Sequence, residues 1–186
     1  MNKRLIILLL GCYPLFSYSQ NEADSILNEM SNYTDVQSKY LGPVGRISED
    51  YTTAEVLNEQ TTSEQKNQIF DSSNLIIKYY IFIGILYKNE TLALEKLLDH
   101  ASDTTVLGTR FGCHLGSRFF NSLLFDQYYN HARTKYYLGG SGMFNGVVYS
   151  YQKSKRKIWK QKEQELRVLC EKYLNIPFIE FRKYQQ

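Results

Sequence analysis

From residue 20 onward the apolar positions Ile26, Leu27, Met30, Tyr33 and Val36 recur at steps of three and four, the spacing of an amphipathic helix. Leu41-Gly42-Pro43-Val44-Gly45 breaks that pattern and reads as a turn or a crossing segment. Helical spacing resumes at Ser48, with Tyr51, Val56 and Leu57 on one face, and Thr62 with Gln65 has the spacing of a capping box for a short helix to Phe70. Asp71-Ser72-Ser73-Asn74 is a cluster of helix-starting side chains ahead of Leu75 to Tyr87, a stretch apolar on nearly every side. Such a helix is a central, buried one, although the abundance of Ile and Tyr is also compatible with a buried pair of strands.

Asn89-Glu90-Thr91 predicts a tight turn into a Leu-rich helix over Leu92 to Ala101, which would lie antiparallel to its predecessor. Ser72-Ser73-Asn74-Leu75-Ile76 aligns with Asp103-Thr104-Thr105-Val106-Leu107 at an offset of 31, so the pattern reads as repeating. Phe119, Phe120, Leu123, Leu124 and Tyr128 mark another helix ending near Ala132, and a last one runs from about Ser154 to Leu174. Asn175-Ile176-Pro177 stops it, with Phe178 and Phe181 folding back as a clasp. About seven helices and no sheet result, so the expected class is all-α.

A polar loop, the pair Ile77-Lys78 early in a buried helix, a short turn, a Leu-rich second helix and another Asp-led loop, Asp103 to Val106, resemble a HEAT-type helical repeat over residues 48–125. Ile81 stands where such repeats favour a small residue, and the offset of 31 is shorter than the ~40–47 residues of that class. The resemblance implies antiparallel helix pairs stacked in a short HEAT-like or irregular bundle. It also implies a surface that binds other macromolecules, and no catalysis.

The first residues change the picture of where the chain works. Lys3-Arg4, the apolar run Leu5 to Leu10 and Ser17-Tyr18-Ser19 before Gln20 form a secretory signal, leaving 20–186 as a single helical domain. The alternative is lipidation at Cys12, since Leu9-Leu10-Gly11-Cys12 resembles a lipobox and would anchor the chain to a membrane. Residues 1–19 hold two of the 22 basic residues and none of the 19 acidic ones, so the mature chain carries 20 against 19, a net +1. That balance argues against nucleic acid as a partner. No membrane span is expected once the signal is removed, because ~20 consecutive apolar residues would be needed. Two cysteines remain, Cys113 and Cys170, which an oxidising compartment would join as a disulfide; otherwise they are two small core residues.

Candidate chemistry is sparse. Gly139-Gly140-Ser141-Gly142 lacks the Lys and Ser or Thr of a phosphate loop and fails the fifth position of a hydrolase elbow, so it reads as a flexible connection. Cys113-His114 combines a thiol with an imidazole, but adjacent residues on a helix diverge by about 100°. His100 and His131 stand 14 and 17 residues away, outside paired-ligand spacings for zinc. Glu49-Asp50 and Glu163 with Glu165 read as solvated faces.

The most distinctive surface feature is basic and aromatic: Tyr149, Tyr151, Lys153, Lys155, Arg156, Lys157, Trp159 and Lys160, within a stretch without acids. The sixteen tyrosines, among them Tyr79-Tyr80, Tyr128-Tyr129 and Tyr136-Tyr137, suit half-buried packing and interfaces equally. The expectation is therefore an exported, periplasmic, extracellular or envelope-anchored protein that binds another protein, with no catalytic, cofactor or metal residues assigned. An inhibitor or immunity-type protein is the alternative, and an envelope hydrolase using Cys113, His114 and His131 a third.

Overall fold

The computed structural model describes residues 22–136, 153–175, 177 and 178, with 153–156 traced by backbone alone. Helical residues 22–30 (α1) lead into strand β1 (Asp35–Leu41), the short strand β2 (Arg46–Ile47), and helices α2 (Glu49–Gln60), α3 (Ser63–Ser72), α4 (Leu75–Lys88) and α5 (Glu90–Asp99). Strands β3 (Val106–Gly112) and β4 (His114–Phe119) follow, then α6 (Phe120–Tyr136) and α7 (Lys153–Val168), which continues into one π-helical turn, Leu169–Tyr173. The expected signal segment, Cys12, Tyr137, the Gly-rich stretch 139–146, Tyr149, Tyr151 and Phe181 lie outside the described residues.

The all-α expectation is overturned by a four-stranded mixed sheet in the order β2-β1-β3-β4. β1 pairs antiparallel with β2 and parallel with β3, in the register Asp35↔Gly108, Val36↔Thr109, Gln37↔Arg110. Val36, placed with Ile26 and Met30 on a helical face by its spacing, is a fully buried strand residue instead. Gly108 permits the parallel pair to close, since a Cβ there would lie 3.3 Å from that of Asp35. Residues 103–105, aligned with 72–74 as the start of a second helical copy, are an extended connection into β3, so helix pairs do not stack through this stretch.

Where helices form, their starts are fixed by local hydrogen bonds. The Thr62 N–H donates to Gln65 Oε1 at 2.8 Å and the Gln65 N–H to Thr62 Oγ1 at 3.2 Å, closing the capping box of α3. Asn74 accepts from the Ile77 N–H at 3.0 Å ahead of α4, and Asn89 from the Leu92 N–H at 3.1 Å ahead of α5. α4 is buried on several sides, as its composition predicts: Ile77, Tyr79, Tyr80, Ile81, Phe82, Ile85 and Leu86 are all shielded from solvent. None of the described helices is long and apolar enough to cross a membrane.

The described residues group into two compact units, those up to 84 with 108–116, and 85–107 with those from 117 onward. In the first unit α2 packs on β1, and Phe70 meets Phe82 at 6.5 Å between centroids. The Tyr80 hydroxyl accepts the Gln37 N–H at 2.8 Å, tying the sheet to α4. In the second unit α6 packs against α5 and α7. Tyr129 receives Trp159 at 5.7 Å and Phe178 at 5.9 Å, so of the expected clasp the described half, Phe178, packs back on α6. The π-helical turn shifts the helical register, which leaves Tyr173 half-exposed and buries Leu174 in its place.

Candidate interaction surface

At one end of the sheet two turns form a cleft of about 500 Å³, all of it within the first unit. The first turn joins β1 to β2, with Gly42 at φ +71° and Gly45 at φ +67°; the second joins β3 to β4 through Gly112, at φ +58°, and Cys113. These positive φ values are the conformation that only glycine adopts readily. The Gly42 N–H donates to the Gly112 carbonyl at 2.9 Å, and the Gly112 N–H to Ser38 Oγ at 3.0 Å, so both walls are pinned to β1.

The lining is apolar and cationic. Leu41, Pro43, Val44 and Leu115 supply the apolar surface, Arg46 and Arg110 the charge, and Cys113 a thiol; among the described residues no acidic side chain lines it. Val44 is 91% exposed and Leu115 76%, with Ile47 on the neighbouring strand also open to solvent. Large apolar side chains this exposed and this close together mark contact surfaces more often than scattered single ones do. Arg110 reaches the Asp35 carboxylate through Nε at 3.3 Å, whereas exposed Arg46 has no carboxylate within reach among the described residues. β4 is the sheet's terminal strand, and five of its six residues are exposed.

A second constellation surrounds Glu90 at the start of α5 in the other unit. Its Oε2 accepts from Lys135 Nζ at 2.6 Å and from the Tyr136 hydroxyl at 3.5 Å, and its Oε1 from the Tyr128 hydroxyl at 3.4 Å. Lys162 Nζ lies 3.8 Å from Glu90 and 3.5 Å from Glu165. Burial alone would raise the Glu90 pKa, but the Lys135 hydrogen bond and the charges of Lys135, Lys162 and His131 outweigh it, so the carboxyl sits below its ordinary range. Lys135 is raised, chiefly by its bond to Glu90, and burial beside Glu90 raises Tyr128. Near neutral pH these groups hold their protons and charges firmly, which suits a tie between α5, α6 and α7 better than proton transfer.

The predicted site residues are dispersed. In the basic cluster Lys157 and Lys160 are exposed, whereas Trp159 is buried on Tyr129. Tyr79-Tyr80 and Tyr128-Tyr129 are core residues. His100 meets Phe120 edge-on and lies 3.4 Å from Asp103, while His131 packs edge-on to Tyr87 at 5.2 Å and is lowered in pKa by burial. Cys113 and His114 are exposed at the hairpin tip. Cys170 is a buried thiol whose pKa burial pushes up to about 12, and no disulfide joins it to Cys113 in this structure. Asp50 is raised by burial and by Asp35, while Glu49 beside it is exposed. Among the described residues no three His, Cys, Asp or Glu side chains come together to hold a metal ion.

The cleft escaped sequence reading because its halves are about 70 residues apart. The one available signal was the pair of glycine-bearing turns, each flanked by an apolar residue and an arginine. Comparisons with family models, with curated proteins and with solved structures gave no match to this chain.

Proposed function

We propose that this chain is an exported, non-catalytic protein that binds another protein through the end of its sheet. The export part of the reading rests on the basic, apolar and small-residue order of positions 1–19. The observation that carries the binding part is the cleft, where Val44 and Leu115 stand exposed beside a preformed pair of hydrogen-bonded turns. Preformed walls lower the ordering cost of association, and apolar surface released from water supplies its driving force. The densest polar cluster, around Glu90, is charge-compensated and supports a structural role rather than a chemical one.

The test is crosslinking capture from the host envelope with the mature chain and with a Val44→Asp/Leu115→Asp variant. Both positions are exposed, so the variant should fold with a melting temperature close to that of the parent. The reading expects a discrete partner captured by the parent and lost by the variant. The same set of proteins captured by both, or none by either, would contradict it.

A further inference from the structure

The cleft's charge points to what it takes. We infer that it binds an acidic–apolar segment of a protein partner, seating an apolar side chain among Pro43, Val44 and Leu115 and a carboxylate on Arg46; this rests on the reading just given. Among the described residues Arg46 is the unanswered charge, because Arg110 beside it is already engaged by Asp35 and none of the described residues lining the cleft is acidic. A guanidinium next to apolar surface offers a planar fork that matches a carboxylate, and partial shielding from water strengthens the pairing. One uncompensated cation is too little for a nucleic-acid backbone, whose binding is built on several phosphate contacts. At about 500 Å³ and open to solvent, the space suits one or two side chains of a chain lying across the turns.

The probe is a displayed library of random heptapeptides panned on the mature chain, with the enriched peptides then measured by fluorescence anisotropy. Their seat is located by the rate at which N-ethylmaleimide alkylates Cys113, an exposed lining residue that an occupant would shield. The inference expects enrichment of Asp or Glu next to Leu, Ile or Phe, and at least fivefold slower Cys113 alkylation at saturation. Binding should weaken at least tenfold in Arg46→Glu and less in Arg46→Lys, with panning on Arg46→Glu turning toward basic peptides.

No enrichment, equal affinity for Arg46→Glu, or undiminished alkylation of Cys113 would overturn it. So would protection by octanoate alone, which would assign the cleft to an acyl chain, or protection that grows with protein concentration without peptide, which would assign it to a second copy. The two claims separate cleanly. If Arg46→Glu still captures the partner that Val44→Asp/Leu115→Asp loses, the binding function stands and only the acidic–apolar assignment fails.

Discussion

The Gly42 N–H donates to the Gly112 carbonyl across 2.9 Å, joining two turns that are about 70 residues apart in the chain. Both residues hold positive φ, and a Cβ built at either meets nothing within 4 Å. Substitution at Gly112 therefore costs backbone strain and no clash. Gly112→Ala should lower stability by about 1–2 kcal/mol, and Gly112→Asn by less, because asparagine tolerates the left-handed region. Urea midpoints measure the difference; equal midpoints for the parent and Gly112→Ala would show that the turn does not require this conformation.

Gly84 is a mid-helix glycine whose replacement should harm despite better helix propensity. A Cβ there would fall 1.8 Å from Asn58 Oδ1 and 2.4 Å from its Cγ, and Asn58 Nδ2 donates to the Tyr80 carbonyl at 2.9 Å. Gly84→Ala displaces the Asn58 side chain and takes its amide off the Tyr80 carbonyl, at a cost of about 1–3 kcal/mol that outweighs the ~1 kcal/mol gained in propensity. In an Asn58→Ala background the sign should reverse, with Gly84→Ala stabilising by up to about 1 kcal/mol. Thermal melts of the four proteins decide it.

The ion cluster on α5 sets a pH dependence. Because the folded Glu90 pKa lies below its unfolded value of about 4.3, the carboxylate's contribution is complete above that pH and disappears as the pH falls through the folded value. Glu90→Gln should thus lower stability at pH 7, by about 1 kcal/mol or less given the exposure of Lys135. The gap between the two proteins should close below pH 4. A gap that persists undiminished at pH 3 would mean that packing around Tyr128 and Tyr136, rather than charge, is what the substitution removed.

Helix starts were legible because their signals are local. Thr62 and Gln65, Asn74, and Asn89 each act on a backbone group at most three residues away. The apolar girth of α4 was legible as a buried stretch, although its Ile and Tyr content left a pair of strands open as well. The sheet left no such trace. Parallel pairing of Asp35 with Gly108 is a contact between distant segments, and β4, exposed along nearly its whole length, has no buried face to impose a period of two. The turn at Leu41 to Gly45 could be read, but its partner at Gly112 and Cys113 is brought to it only by that pairing. Cys113 attracted attention for its thiol, whereas its place in the fold is the rim of an apolar cleft. Trp159 belongs by sequence both to the basic and aromatic stretch and to the apolar face of the last helix with Leu166 and Cys170, and its packing on Tyr129 of another helix decides for the core.

The claim that the sheet end is a protein-binding surface is tested most directly by site-specific photocrosslinking in the native host. A benzoylphenylalanine is placed at Val44, at Leu115 and, as a control, at Val56, an exposed position on α2 of the same unit. The account predicts one adduct of the same mass from positions 44 and 115 and none from position 56. No adduct from 44 and 115, or an equal yield from position 56, would contradict it.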